Sequence, residues 1–119
     1  MTSADPLTDT FIGRNGIDFA VFKKEGIGEV TFNFGNYSTT SDTATNRYLD
    51  VGKNNDYATK VAIRVKVNAV SITEINGNAI QPIPIIDGEP YQINYGIQVA
   101  SLKIYFDTDN TVIEVLGVA

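Results

Sequence analysis

Carboxylates are the main candidates for chemistry in this sequence, because the chain contains no histidine and no cysteine. The commonest general base and the usual transition-metal ligands are therefore missing. Residues 107–110, DTDN, have the opening pattern of a calcium-binding loop. Such a loop continues with glycine at position six and glutamate at position twelve, which here are Val112 and Val118. The mismatch favours a tight hairpin turn that uses Asp and Asn for their turn chemistry.

The 14 acidic residues give little support to acid–base catalysis, since most fall in turns or on predicted wet strand faces. Glu114 is the exception because it lies in an otherwise apolar strand, and we expect a structural ion pair with Lys103. The glycines never have the spacing of a phosphate-binding loop. We therefore predict that the protein is not an enzyme and uses no cofactor, metal or small-molecule substrate. A hydrolase with two facing carboxylates is kept as a third hypothesis.

A basic stripe is the first candidate for partner contact. Lys60, Arg64 and Lys66 alternate with apolar residues and would share one face of a strand. An ordinary solvated face is one interpretation of this stripe. The other is a surface for an acidic partner, or for weak contact with nucleic acid.

Three tyrosines form the second candidate. Tyr37, Tyr48 and Tyr57 fall in residues 35–59, a polar stretch too long for an ordinary connection and therefore a candidate contact surface. Exposed tyrosines beside Asn and Thr are typical of sugar-binding or protein-contact surfaces. The alternative is that the rings cap the edges of the core.

The element that would position these side chains is the strand Lys60–Val67, KVAIRVKV. Its apolar residues occupy every second position and predict one buried face, packed on a layer of Phe32, Phe34, Leu102 and Ile104. Isoleucine, valine and threonine number 14, 11 and 12 against four leucines, and no segment has a sustained helical period. The other predicted strands are Ile17–Lys24, 29–34, 47–51 at an edge, 69–75, 79–86, 91–95, 99–106 and Thr111–Val118.

Turn residues suggest how these strands connect. Asn76-Gly77 predicts a hairpin, and the link 25–28 predicts a second one between the first two strands. Pro82 and Pro84 predict that their strand lies at a sheet edge or leaves the sheet there. The fold predicted is all-β: a single-domain antiparallel β-sandwich of about eight strands, with a jelly roll as one candidate topology. The last strand is apolar on both sides, which favours a position between layers or between subunits.

Residues 1–16 are predicted to form an extended N-terminal arm, and residues 17–119 the sandwich domain. Leu7, Phe11 and Ile12 are the arm's candidate anchors, on this domain or on a neighbouring subunit. The net charge of −5 disfavours nucleic-acid binding. No apolar run approaches the roughly 20 residues of a membrane span, and the start lacks signal-peptide features. These patterns predict a protein made in the cytoplasm, with no membrane partner.

The C-terminal half, AVSITEINGNAIQPIPI followed by VASLKIYFDTDNTVIEVLGVA, resembles small all-β virion proteins of tailed bacteriophages, such as head-decoration and auxiliary proteins. The resemblance rests on richness in Ile, Val, Thr and Asn, on Asn-Gly hairpins and on the final apolar strand. It implies a structural protein present in many copies, made in the host cytoplasm, whose partners are capsid or other virion proteins and copies of itself. The alternatives are a tail or neck protein and a carbohydrate-binding β-sandwich module.

Overall fold

The computed structural model describes residues 17–35, 42–51, 57–86, 88–93 and 96–119, and these residues form strands without helices. No helix among them could therefore span a membrane. The strands are β1 (Ile17–Lys24), β2 (Gly28–Gly35), β3 (Asn46–Asp50), β4 (Lys60–Val67), β5 (Val70–Ile75), β6 (Asn78–Ile85), β7 (Tyr91–Ile93), β8 (Ser101–Phe106) and β9 (Thr111–Val118).

The strands form two packed sheets. Sheet A has the order β1-β9-β4-β7, and sheet B has the order β3-β2-β8-β5-β6. Neighbours are antiparallel in both sheets except β2 and β3, which run parallel. The predicted all-β sandwich is confirmed.

The core lies between the sheets and is built by alternation along each strand. In β4, Val61, Ile63 and Val65 are buried as predicted, and so is the layer of Phe32, Phe34, Leu102 and Ile104. Val67 is 46% exposed, contrary to the prediction. The register of β4 against β9 shifts between Val65 and Val67, and this bulge puts Val67 out of phase with the buried face.

The Asn76-Gly77 hairpin is confirmed, joining β5 to β6. Both residues have positive φ, 54° and 81°, as a type I′ turn requires. The Asn76 side chain also accepts the Ala100 N–H at 2.6 Å and donates to the Gln98 carbonyl at 2.7 Å. The turn is therefore fastened to the chain that leads into β8.

The predicted hairpin between the first two strands is wrong. β1 pairs with β9 in sheet A, whereas β2 pairs with β8 in sheet B, so their link crosses from one sheet to the other. Residues 107–110 also cross between sheets, because β8 belongs to sheet B and β9 to sheet A. A short polar link does not distinguish a hairpin from a crossing, since both need the same turn residues.

The two strands that were predicted to lie at sheet edges do lie there. β6, which carries Pro82 and Pro84, is the outer strand of sheet B, and β3 is the outer strand on the other side. β9 does not lie between the two layers, and the alternative prediction, a position between subunits, stays a prediction. It lies inside sheet A between β1 and β4, with one face in the core and the other directed outward.

Candidate docking surface

The outward side of sheet A is an apolar surface, which we call the A face. Alternation places alternate residues of β1, β4 and β9 there, opposite the buried ones. Phe19 is 50% exposed and Val21 is 58% exposed, and both stand on the edge strand β1. The apolar side chains of the A face are Ile17, Phe19, Val21, Ala62, Val67, Val112, Leu116 and Val118.

An ion pair stands in the middle of the A face. Arg64 on β4 and Glu114 on β9 are directly opposite each other in the register. The Arg64 Nε donates to Glu114 Oε1 at 2.8 Å, and Nη2 lies 2.8 Å from the same oxygen. Because one carboxylate oxygen receives both nitrogens, this member of the basic stripe is already neutralised within the chain.

The predicted pair of Glu114 with Lys103 is wrong. Lys103 lies on β8 in the other sheet, where its Nζ is 3.1 Å from Glu74 Oε2. Sequence spacing placed Glu114 in a partly apolar setting correctly, but it contained no information on which strand would lie beside β9.

Cations surround the ion pair on the A face. Lys60 and Lys66 of β4 are exposed, and Lys23 occupies the outward end of β1. With Arg64, the A face carries four cations against the single carboxylate of Glu114. The whole chain has a net charge of −5, so this surface is opposite in sign to the rest of the protein.

Two shallow depressions give the A face its shape. One, of about 200 Å³, is lined by β4, β7 and β9, including Lys60 and Gln92. The other, of about 160 Å³, reaches Phe19 and the Arg64–Glu114 pair. Both share Ala62 and Leu116 as part of their lining. The small Ala62 side chain lies between larger neighbours in this hollow.

A carboxylate connects the edge strand β1 to β3 by hydrogen bonds. Asp18 Oδ1 accepts the Phe19 N–H at 2.8 Å, and Oδ2 accepts the Asp50 N–H at 2.8 Å. Burial raises the pKa of Asp18 above its ordinary value of 3.8, although the two N–H donors favour the charged form and oppose the rise. Asp18 therefore ties the edge of sheet A to the edge of sheet B.

An aromatic group packs beside this contact. The Phe22 ring meets Phe32 edge-on at 5.5 Å and Phe106 at 5.6 Å. The Arg47 guanidinium covers the Phe22 ring at 5.0 Å and forms an ion pair with Asp42 at 3.2 Å. Arg47 of β3 thus covers Phe22 of β1 and adds a cation–π contact between the two edge strands.

Of the predicted tyrosines, Tyr48 is not on the A face. Tyr48 lies on β3 in sheet B, half-buried, and its N–H donates to Asp42 Oδ1 at 2.9 Å. Tyr57 is also half-buried and lies just before β4. Tyr37, Leu7, Phe11 and Ile12 lie outside the described residues. The sugar-binding hypothesis stays a prediction.

Polar groups of residues 107–110 stabilise the turn through hydrogen bonds. Asp109 Oδ1 accepts the Gly26 N–H at 2.6 Å, and the Asp109 carbonyl accepts from Asn68 Nδ2 at 3.1 Å. Asp107 accepts the Thr108 hydroxyl at 2.9 Å. Within the part of the chain that the structure describes, no group of three or more acidic residues could hold a metal ion.

Sequence reasoning identified the basic stripe but missed the apolar side chains around it. The signal was available in β1 and β9, which are apolar on both faces and so must expose one of them in a two-layer fold. The role of Asp18 had no sequence signal, because it depends on β3 lying next to β1. No family model, curated protein or solved structure matches this chain.

Proposed function

We propose that this protein is a non-enzymatic virion component of the capsid decoration or auxiliary type, which docks on a protein shell through the A face. The observation that carries the proposal is the exposed apolar surface of β1, β4 and β9 with cations around it. Exposed apolar surface rimmed by polar groups marks interaction sites, because leaving it in water costs free energy. The resemblance of the C-terminal half to phage virion proteins supplies the biological setting.

Charge selects the kind of shell surface that fits. An apolar contact would occupy the hollow at Ala62 and Leu116, while Lys23, Lys60 and Lys66 would meet acidic groups at the rim. The acidic remainder of this chain would be repelled by the acidic groups of the shell. The lysines around the A face would therefore determine the orientation of docking as well as the attraction. The partner is therefore a protein shell with acidic groups around an apolar contact, assembled in the host cytoplasm.

Detection in virions tests the assignment itself. Particles purified from the phage that carries the gene should contain this chain in a copy number comparable to that of the shell protein. Quantitative mass spectrometry of the particles measures that ratio. Absence from the particles, or a gene located outside any phage genome, would refute the virion proposal.

Substitutions on the A face test the docking geometry. Lys60→Glu and Val67→Ser should each weaken binding to shells that lack the protein by about tenfold or more, measured by co-sedimentation. Tyr105→Ser is the matched control, since Tyr105 is 39% exposed but lies on β8 in the opposite sheet. Equal binding by all three variants would contradict docking through the A face.

A further inference from the structure

Each sheet of the sandwich has two edges, and unpaired edge strands invite another strand to pair with them. Two of the four edges are blunted by their sequence. β6 contains Pro82 and Pro84, which lack the N–H that a ladder needs. β7 pairs with β4 over three residues, Tyr91–Ile93, so within the described part of the chain it offers few groups for a further pairing.

The third edge, β3, is covered by side chains of the same protein. The Asn46 N–H donates to Thr43 Oγ1 at 3.1 Å. The Tyr48 N–H donates to Asp42 Oδ1 at 2.9 Å, and the Asp50 N–H donates to Asp18 Oδ2 at 2.8 Å. Every second donor along β3 is therefore occupied, and an added strand would have to displace these bonds.

The fourth edge, β1, is eight residues long and contains no proline. The backbone of β1 bonds to β9 through its even-numbered residues. The Val118 carbonyl of β9 points toward β4, so the residues of β9 on either side of this alternation show which ones face β1. The Phe19 N–H accordingly points away from β9, toward Asp18 Oδ1. The N–H and C=O groups of Val21 and Lys23 consequently point outward. Outside the strand ladders, no backbone hydrogen bond among the described residues involves Val21 or Lys23.

We infer that β1 is the site where a second copy of this protein adds, antiparallel and across a two-fold axis, to join two A sheets into one. The occupant is assigned by charge. β1 has an acid, Asp18, three residues before Val21 and a base, Lys24, three residues after it. With Val21 opposite its own copy, each Asp18 lies opposite Lys24 of the second copy, and opposite charges in facing positions stabilise a strand pair.

Other arrangements of β1 against itself fit less well. Moving the axis to Ala20 places Asp18 opposite Phe22 of the second copy, which leaves the carboxylate beside a ring. A parallel, in-register pairing would place Lys23 and Lys24 beside their own copies, where like charges repel. Lys23 and Lys24 thus disfavour open-ended parallel pairing of many copies but are compatible with a closed two-fold dimer.

The preferred register also satisfies the backbone. Phe19, Val21 and Lys23 would exchange about six hydrogen bonds with the second copy, since each directly opposed pair of this type exchanges two. The Phe19 N–H would leave Asp18 for the new strand, which frees that carboxylate for Lys24 of the second copy. One strand on each side is a small interface, so we expect a dissociation constant of roughly micromolar order.

A single-cysteine experiment tests the register. The chain has no cysteine, and directly opposed residues of this type have Cα atoms about 5.5 Å apart, within the range for a disulfide. Under mild oxidation at concentrations where the dimer forms, Val21→Cys should give a disulfide-linked dimer at least tenfold faster than Tyr105→Cys or Val67→Cys. Equal rates for all three variants would overturn the proposal. Faster cross-linking of Val67→Cys would also overturn it, since it would indicate face-to-face packing.

A charge-mixing experiment tests the two-fold axis independently of cysteine chemistry. Val21 is 58% exposed, so Val21→Lys and Val21→Glu should fold normally. Each variant alone should be monomeric by sedimentation at concentrations where the wild type dimerises, and an equimolar mixture should restore the dimer. A wild type that is monomeric at high micromolar concentration, or a mixture that stays monomeric, would overturn the pairing. Neither readout involves shells, so failure here is distinguishable from failure of the proposed function.

Discussion

Gly117→Ala should destabilise the fold, because a side chain at Gly117 would run into residues of the opposite sheet. It belongs to β9, opposite Asp18 of β1 and Val61 of β4. A methyl group built there would be 2.8 Å from Phe34 Cδ1 and 3.0 Å from Val51 Cγ1. Carbon atoms pack comfortably at about 3.5–4.0 Å, so the added carbon is too close by about half an ångström or more.

The side chains around Gly117 cannot move away without a cost in free energy. Phe34 and Val51 are both completely buried, so neither can turn into solvent to make room. Overpacking of this kind costs about 1–3 kcal/mol, and the reduced freedom of the unfolded chain returns about 0.4–1 kcal/mol. We expect a net loss of about 1–2 kcal/mol, or roughly 4–8 °C in Tm for a domain of this size.

Denaturant unfolding followed by circular dichroism measures this loss, and a double-mutant cycle identifies its cause. Phe34→Leu removes the ring carbons nearest to the new methyl group. If the clash is the cause, Gly117→Ala should cost at least about 0.5 kcal/mol less in the Phe34→Leu background than in the wild type. A Gly117→Ala variant as stable as the wild type, or strictly additive effects, would refute this account of sheet packing.

Three further predictions concern polar contacts. Asn76→Ala should lower the free energy of unfolding by about 0.5–1.5 kcal/mol, measured in urea, because the exposed Ala100 N–H exchanges its side-chain acceptor for water. A double-mutant cycle on Arg64 and Glu114 should give a coupling of roughly 0.5–1 kcal/mol, reduced in high salt, since the Arg64 side chain is 47% exposed. Burial raises the pKa of Asp18, so the folded state binds this proton more tightly than the unfolded chain. The wild type should therefore lose stability relative to Asp18→Asn as pH rises above 3.8, and a difference that is flat or opposite in sign would contradict the shift.

The strands were predictable because alternation is a local property. Lys60–Val67 has apolar residues at every second position, and a pleated strand must put these on one side. The Asn76-Gly77 turn was predictable for a similar reason, since positive φ at two consecutive residues needs Asn and Gly. Both inferences use neighbours in the sequence only, and both are confirmed except at Val67, which is exposed.

Pairing was not predictable, because it depends on residues far apart in the chain. The link 25–28 has the composition of a hairpin, yet it leads from sheet A to sheet B. The partner of Glu114 was misassigned for the same reason: Arg64 lies beside it only because β4 and β9 are neighbours. The exposure of Val67 required a bulge that the clean alternation of β4 concealed.

The two proposed contacts use perpendicular directions of sheet A and can therefore exist together. Strand pairing extends the sheet within its own plane, whereas docking uses the A face, which is normal to that plane. Joining two copies at β1 would place two A faces side by side and double the cations presented to an acidic surface. Two linked weak contacts bind more tightly than either alone when the partner repeats at matching spacing, as a symmetric shell does. A micromolar dimer would then bind firmly to an array and only weakly to an isolated shell subunit.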